Sequence, residues 1–281
     1  MRKFAVFIMT HGRADDVRTI GTLHKHGYTG EIYLVVDNED MQQAKYIENF
    51  GKDSVIIFDK KAVAERIDTM DNTGKRLSPV FARNEIFNIA KRMGYTHFWI
   101  LEDDYNDFRF RLVRNGLFTA LYVNNLDEII GYMLDFLDST NALTICFAQG
   151  GDYIGGAGSR VFKHKLTRKA MNTYFCRTDR PISFPGRINE DVNAYVINAI
   201  RGNLLFTIGK LCIDQPTTQS NAGGMTDEYL ASGTYVKSFY TVMLAPSCVK
   251  ISTLGMTHQR IHHKVYWNNC APKILNPKWK K

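Results

Sequence analysis

Three consecutive carboxylates follow a short apolar run. Phe98 to Leu101 reads FWIL, and Glu102, Asp103 and Asp104 come directly after it. Acids at the end of a buried strand repel one another and lose hydration unless a cation or hydrogen-bond donors lie opposite. Hard cations such as Mg²⁺ or Mn²⁺ bind carboxylates and complete their shell with phosphate oxygens and water. The sequence therefore predicts a metal site on Glu102 and Asp104, and the alternative is an acidic loop or a helix N-cap.

A second acidic cluster lies at Asn189, Glu190 and Asp191. Asn189 can cap a helix, and the two acids favour the first turn of that helix electrostatically. A carboxylate held at a helix start can also act as a general base that takes a proton from an incoming hydroxyl. Both interpretations remain open from the residues alone.

Two adjacent histidines, His262 and His263, lie in the basic segment Arg260 to Lys264. Either imidazole could complete a metal shell, and imidazole suits Mn²⁺ better than Mg²⁺. Adjacent residues of a strand point to opposite faces, so we expect at most one of the histidines to reach inward. The alternative is a basic surface patch.

Two glycine-containing segments could lie against a ligand. Thr10-His11-Gly12-Arg13 follows a predicted strand and precedes a predicted helix, so its backbone amides and Arg13 could contact a phosphate or a nucleobase. Residues 149–159 include Gly150 and Gly151, where the backbone could approach a ligand closely. Gly12 could equally serve only a tight turn. Arg83-Asn84 and residues 68–72 are weaker candidates by position.

These clusters need a scaffold that brings them together. Apolar runs predict strands, and apolar residues three and four apart predict helices. The predicted strands cover residues 4–9, 31–36, 55–58, 97–101 and 143–148, and the predicted helices cover 15–26, 40–50, 79–93, 126–137 and 187–201. Repeated β-α-β order implies a parallel sheet, whose ligand sites form at the carboxyl ends of the strands. Asp37 and Asp59-Lys60-Lys61 follow two of these strands and join the same edge.

The predicted fold class is α/β. We expect one domain with a Rossmann-type, mostly parallel central sheet flanked by helices, and a mixed or antiparallel extension after residue 202. Residues 1–150 form the predicted nucleotide-binding half, and residues 151–281 form the half that completes the site. Four common motifs are absent from the sequence: GxxxxGK[ST], GxGxxG, GxSxG and HExxH. Their absence disfavours P-loop ATPases, Rossmann dehydrogenases, α/β-hydrolases and zincins.

The amino-acid composition indicates the class of ligand and the cellular compartment. The 281 residues carry a net charge of +8, which suggests a polyanionic ligand. The stretch from Arg260 to Lys281 holds six cations and no acid. The five cysteines form no CxxC pair, as expected of free thiols in a reducing cytosol. The apolar run at 4–9 is too short for a signal peptide or a membrane span, so we expect a cytoplasmic protein.

Together these residues resemble a GT-A glycosyltransferase, and more specifically the TET-associated glycosyltransferases of bacteriophages and related mobile elements. The resemblance runs from residue 4 to about 275. It rests on HGRAD at 11–15, ARN at 82–84, LEDDY at 101–105, AQGGD at 148–152, GRINEDVN at 186–193, GGMT at 223–226, GTYVKSFY at 233–240 and RIHH at 260–263. A GT-A-like fold is therefore expected.

The resemblance implies transfer of a sugar from a UDP-sugar to a hydroxylated pyrimidine in DNA, such as 5-hydroxymethylcytosine made by a partner TET/JBP-like oxygenase. It implies that Arg13 and Asp37 contact uridine and that Glu102 and Asp104 hold Mn²⁺ or Mg²⁺ and the diphosphate. His262 or His263 would be a further metal ligand, and Asp191, beside Glu190, would be the base of an inverting reaction. The implied donor-binding set is Thr10, His11, Gly12, Arg13, Asp37, Arg83, Asp103, Gly150 and Gly151.

The direct metal ligand and the functional class stay open. The metal motif begins with Glu102 where the family pattern has Asp, which leaves open whether Asp103 or Asp104 is the direct ligand. A glycosyltransferase acting on a protein or glycan would share the donor-side residues. A sugar-nucleotide pyrophosphorylase would use a similar sheet, but HGRAD fits that class poorly. A non-enzymatic basic nucleic-acid-binding protein would differ from all of these because it would not bind UDP-sugar with metal.

Overall fold

The computed structural model describes residues 2–216, 225, 228, 229, 233, 235–254, 259–274 and 277. The GGMT motif, except for Met225, and Lys278, Lys280 and Lys281 therefore lie outside the described residues. The strands are β1 (Phe4–Met9), β2 (Ile32–Asp37), β3 (Val55–Phe58), β4 (His97–Glu102), β5 (Asp107–Arg114), β6 (Leu117–Tyr122), β7 (Ala142–Ala148), β8 (Leu166–Thr167), β9 (Tyr174–Arg177), β10 (Leu204–Asp214), β11 (Val249–Leu254) and β12 (Arg260–Val265). The helices are α1 (Arg18–Lys25), α2 (Gln43–Phe50), α3 (Lys60–Ala64), α4 (Val80–Arg92), α5 (Leu126–Ser139), α6 (Arg160–His164), α7 (Glu190–Ile200) and α8 (Val236–Leu244).

Within the described residues, ten strands form one mixed sheet in the order β3-β2-β1-β4-β9-β7-β10-β5-β6, and β8 pairs with β10. Strands β1 to β4 are mutually parallel, and β7 and β10 run in the same direction beyond the antiparallel β9. The apolar runs of β1 and β4 are buried because helices cover both faces of the sheet. Helices α1, α2 and α5 pack on one face, and α4 and α7 pack on the other. The predicted α/β class, with a mostly parallel sheet flanked by helices, is confirmed.

The parallel core fixes the edge where ligands could bind. The carboxyl ends of β1, β2, β4 and β7 lie on the same side of the sheet because these strands run in the same direction. Their following residues are Thr10, Asn38, Asp103 and Gln149. Both predicted halves contribute strands to this sheet, and the division at about residue 150 stays a prediction.

Three elements after β4 differ from the sequence prediction. The hairpin β5–β6 and the short strand β9 were not predicted. Strand β10, in a region expected to hold turns and short strands, spans eleven residues and joins the central sheet beside β7. The antiparallel pair β11–β12 matches the expected extension. In the part of the chain that the structure describes, no helix is long and apolar enough to cross a membrane.

Candidate active site

A cavity of about 400 Å³ lies at the carboxyl edge of the sheet. Residues that follow β1, β2 and β4 line it, together with α4 and the start of α7. We call it the acidic pocket because six carboxylates lie in its wall. The predicted site residues in this wall are Thr10, His11, Arg13, Asp37, Arg83, Glu102, Asp103, Asp104, Glu190 and Asp191.

Hydrogen bonds fix the turn after β1. Gly12 has a φ of +69°, a conformation that glycine adopts without strain, and its backbone N–H donates to the buried Asp40 at 2.7 Å. The backbone N–H of Arg13 donates to the hydroxyl of Tyr46 at 2.8 Å, and that hydroxyl also bonds Thr10 at 2.8 Å. The turn is therefore fixed at the mouth of the acidic pocket.

Asp37 forms a polar cluster with two cationic groups. Its carboxylate lies 2.7 Å from Nδ1 of His11 and 3.2 Å from Nζ of the buried Lys60. Burial opposes ionisation of Asp37, but the hydrogen bond from His11 and the charge of Lys60 lower its pKa below the usual value. The same hydrogen bond raises the pKa of His11. Lys60 was expected at this edge of the sheet, but it was not among the predicted site residues.

Asp103 is bound to the turn after β1. It accepts a hydrogen bond from the hydroxyl of Thr10 at 2.7 Å and pairs with Nη1 of Arg13 at 2.8 Å. Burial raises the pKa of Asp103, and the charge of Arg13 opposes that rise. The middle acid of the LEDDY motif therefore connects β4 to the turn after β1.

Arg83 is an internal bridge between two acids of the wall. Its side chain is only 1% exposed, and Nη2 lies 3.0 Å from Oε1 of Glu102. Nη1 pairs with Glu190, and the ring centroids of Tyr174 and Phe184 lie 5.2 and 5.6 Å from the guanidinium carbon. The structure thus places this predicted donor-binding residue between carboxylates.

Four acids of the wall are difficult to ionise together. Burial raises the pKa of Glu102 to about 8, neighbouring carboxylates add to the rise, and Arg83 opposes it. Burial likewise raises the pKa of Glu190 to about 7 and raises the pKa of Asp103 and Asp104. A pocket in which buried carboxylates outnumber their cations suits a divalent cation. Glu102, with its side chain 30% exposed, and Asp104 are the acids of β4 that could hold it.

The described residues contain no group of three or more His, Cys, Asp and Glu side chains arranged to hold a metal ion. Two carboxylates with phosphate oxygens and water would suffice for Mg²⁺, which is seldom held by protein ligands alone. The predicted metal roles of Glu102 and Asp104 therefore stay predictions.

Hydrogen bonds connect the start of α7 to α8. Asn189 has a φ of +60°, and its side chain makes no capping hydrogen bond; it donates instead to the hydroxyl of Thr241 at 2.6 Å. Thr241 in turn donates to Asn193 at 2.7 Å. The Asn189 side chain therefore does not cap the helix, as one interpretation of this cluster expected, because it bonds across to α8. Asp191, in the first turn, lines the acidic pocket.

A second cavity of about 720 Å³ adjoins the first, and the two share six wall residues, among them Gln149, Asn189 and Lys237. We call it the basic pocket. Its wall includes Gly150, Gly151, Arg160, Arg168, Lys169, Arg260, His262 and His263. Two of the three predicted donor-binding glycines, Gly150 and Gly151, and both predicted metal-binding histidines lie here, and none of these four residues is in the wall that contains Glu102 and Asp104.

Both histidines line the basic pocket, whereas at most one was expected to reach inward. Nδ1 of His262 lies 2.7 Å from the carbonyl oxygen of His263, a contact that holds the two rings together with centroids 4.3 Å apart. Burial lowers the pKa of both, that of His263 to about 3. Both are therefore neutral at pH 7. A metal role for either histidine stays a prediction.

Comparison with known proteins identifies one family. A sequence model of the family described as "TET-Associated Glycosyltransferase" matches residues 4–224. The matched range contains every predicted residue of the acidic pocket and ends before His262 and His263. A search of curated proteins finds no match.

Three solved structures align with most of this chain. Glucosyl-3-phosphoglycerate synthase from Mycobacterium tuberculosis, in complex with Mn²⁺, UDP and phosphoglyceric acid, is 8% identical, with 94% of this chain and 87% of that chain covered and a TM-score of 0.46. TarS 1-349 from S. aureus, in complex with UDP, is 12% identical, with 87% and 65% covered and a TM-score of 0.46. The mannosyltransferase PcManGT from Pyrobaculum calidifontis, in complex with GDP-Man and Mn²⁺, is 9% identical, with 88% and 75% covered and a TM-score of 0.46. Such distant likenesses carry no argument about individual residues.

Proposed function

This chain belongs to the TET-associated glycosyltransferase family, and we propose that it transfers a sugar from a UDP-sugar to the hydroxyl of a 5-hydroxymethylpyrimidine, such as 5-hydroxymethylcytosine, in DNA. The observation that carries the proposal is the acidic pocket, where acids of β4 and α7 face the turn after β1. In this proposal a TET/JBP-like oxygenase supplies the hydroxymethyl group.

The donor would bind at the carboxyl ends of β1 and β2. Asp37, kept ionised by His11 and Lys60, is suited to accept hydrogen bonds from the uridine part. Arg13, which pairs with Asp103, also lines the pocket, and the fixed turn at Gly12 leaves room for a ligand because no atom lies within 4 Å of where a Cβ would be.

A divalent cation would be held by Glu102 and Asp104, and it would neutralise the diphosphate of the departing UDP. The raised pKa of these two acids supports this assignment, because a bound cation would relieve their repulsion. Arg83 holds Glu102 in place and neutralises part of the remaining charge.

Asp191 would act as the general base. It lies in the first turn of α7, beside Asn189, which is part of both pocket walls. Glu190 is engaged by Arg83, so Asp191 is better placed to accept the proton of the CH₂OH group. The freed oxygen forms a bond to the anomeric carbon from the face opposite UDP, the bond from that carbon to the UDP oxygen breaks, and UDP keeps the electron pair. The configuration at the anomeric carbon is inverted.

The test is mass spectrometry of a hydroxymethylated oligonucleotide after incubation with a panel of UDP-sugars and Mn²⁺ or Mg²⁺. We expect a glycosylated product that disappears with EDTA and does not form on unmodified DNA. Peptides and glycans serve as rival acceptors, and a product on either of these alone would assign the enzyme to a different substrate class. No product with any UDP-sugar on any acceptor would contradict the proposed activity.

Single variants test the base. Asp191→Asn should keep UDP binding and lose transfer by a factor of about 10²–10⁴, the usual contribution of a general base. The matched control is Asp53→Asn, a change at an exposed aspartate outside both pocket walls. Full turnover in Asp191→Asn would show that another group takes the proton.

A further inference from the structure

The basic pocket carries an excess of positive charge. Its wall contains five Lys and Arg side chains among the described residues, from α6, the segment after β8, α8 and β12, against two carboxylates, Asp152 and Asp214. The pocket is therefore suited to an anion.

The two carboxylates offset only part of this excess, because Lys169 is the one cation of the wall that either of them pairs with in the described residues. Asp152 pairs with Lys169 at 2.6 Å, and Asp214 pairs with Arg109 at 3.2 Å. Arg160 and Arg260 form no ion pair with any described residue, and both are exposed at the rim of the cavity. Two guanidinium groups are thus available to a ligand.

The basic pocket adjoins the acidic one. Asn189 and Lys237 lie in both walls, and Asp191 is two residues beyond Asn189. A ligand that fills the basic pocket therefore extends toward the group assigned as the base. The cavity of about 720 Å³ lies within the range of 300–1,000 Å³ typical of small-molecule sites, so it has room for one extruded nucleotide.

We propose that the basic pocket binds the acceptor nucleotide of a DNA strand, with Arg160 and Arg260 contacting its flanking phosphates. This inference rests on the proposed function and adds an acceptor site to it. Phosphate contacts by Lys and Arg supply most of the sequence-independent affinity of DNA-binding proteins. The nucleotide must leave the base stack for its CH₂OH group to reach Asp191.

The test is a salt titration of DNA binding by the full chain. Fluorescence anisotropy gives the Kd of a labelled hydroxymethylated duplex for the wild type and for the double variant Arg160→Ala/Arg260→Ala at several salt concentrations. Each lost phosphate contact should weaken binding about eightfold at 0.1 M salt and reduce the slope of log K against log salt by about 0.9. In the double variant the plot of log K against log salt should therefore be shallower by about 2.

Three comparisons keep the result interpretable. Arg160→Lys/Arg260→Lys retains the charges and should recover most of the slope, and Lys91→Ala, at an exposed position of α4 outside both walls, should leave it unchanged. UDP affinity of the double variant, measured by calorimetry, shows that it is folded. A Kd and slope equal to those of the wild type would overturn the proposal, and so would an equal loss in Lys91→Ala.

The same measurements separate the two proposals. If the wild type binds DNA through Arg160 and Arg260 but transfers no sugar to it, the proposed function is wrong and the DNA site stands. If the wild type glycosylates the oligonucleotide and the double variant shows unchanged KM, Kd and slope, the proposed function stands and the site lies elsewhere.

Discussion

Arg83 offers the sharpest test of how the acidic pocket is built. Its guanidinium is 1% exposed and pairs with Glu102 and Glu190, which lie on different elements, β4 and α7. Arg83→Met keeps the length of the side chain and removes the charge. Breaking a buried ion pair by removing one partner typically costs 3–5 kcal/mol, because the other partner is left uncompensated. We therefore expect the free energy of unfolding to fall by about 3–5 kcal/mol.

A matched control lies in the same helix. Arg92, also in α4, pairs with Glu85 at 3.0 Å, but its side chain is 63% exposed. Arg92→Met should cost no more than about 1 kcal/mol, because solvent screens the pair and Glu85 keeps a second partner in Arg66. The two variants make the same chemical change on one helix. The difference between their free energies of unfolding therefore isolates the effect of burial.

Urea unfolding followed by circular dichroism measures both variants without added metal or nucleotide. The double variant Arg83→Met/Glu190→Gln should recover part of the loss, because it removes one of the two carboxylates left unpaired. If Arg83→Met unfolds with the same free energy as Arg92→Met, Arg83 does not bridge β4 and α7 in the way described.

Two further predictions concern stability. Asp71, 14% exposed, accepts hydrogen bonds from Thr73, Tyr240 and Arg187; burial opposes its ionisation, but these donors lower its pKa from 3.8 to about 2. The lowered pKa stabilises the fold above pH 4, and this stabilisation is lost as pH falls toward 2. Unfolding titrations should therefore show the wild type losing an advantage of about 2 kcal/mol over Asp71→Asn across that interval; a pH-independent difference would contradict the assignment. A Cβ at Gly209 would overlap the carbonyl oxygen of Val161, whereas a Cβ at Gly131 in α5 would meet no atom within 4 Å. Urea unfolding should show Gly209→Ala destabilised by about 1–3 kcal/mol and Gly131→Ala stabilised by about 0.5–1 kcal/mol, and equal values would show that the backbone approach at Gly209 is not tight.

The first half of the fold follows from local patterns. The runs at 4–9 and 55–58 match β1 and β3 in both bounds, and the run at 97–101 falls one residue short of β4. Buried parallel strands are continuous apolar runs, and helices between them repeat every three to four residues, so both signals are contained in short windows of sequence.

Several elements after β4 depend on partners distant in the chain. Strand β9 has four residues, and its place between β4 and β7 is set by antiparallel pairing with both. Strand β5 alternates Phe108, Phe110 and Leu112 with two arginines, a pattern of a half-buried strand, but its hairpin was not predicted. Short strands are stabilised mainly by packing against cross-strand neighbours, which a single sequence does not reveal.

Part of the candidate site could likewise be predicted from local sequence patterns, and part could not. The acids after β4 and the turn after β1 could be placed together, because carboxyl ends of parallel strands share an edge. The pairing of Arg83 with Glu190 joins residues 107 positions apart, and no local pattern points to it. Lys237 likewise reaches both walls only because Thr241 fastens α8 to the start of α7.

The chain has a net charge of +8, and some of its charged residues gather in two neighbouring sites of opposite character. A basic run was expected from Arg260 to Lys281; of that run Arg260 lines the basic pocket, and it is joined there by Arg160, Arg168 and Lys169 from the middle of the chain. The acids of β4 and α7 gather in the adjoining pocket, where a cation can bring a diphosphate close to them. One anion would thus bind through a metal and the other directly through arginines. Rising salt should therefore weaken DNA binding steeply and UDP-sugar binding much less, because only the first releases many counterions.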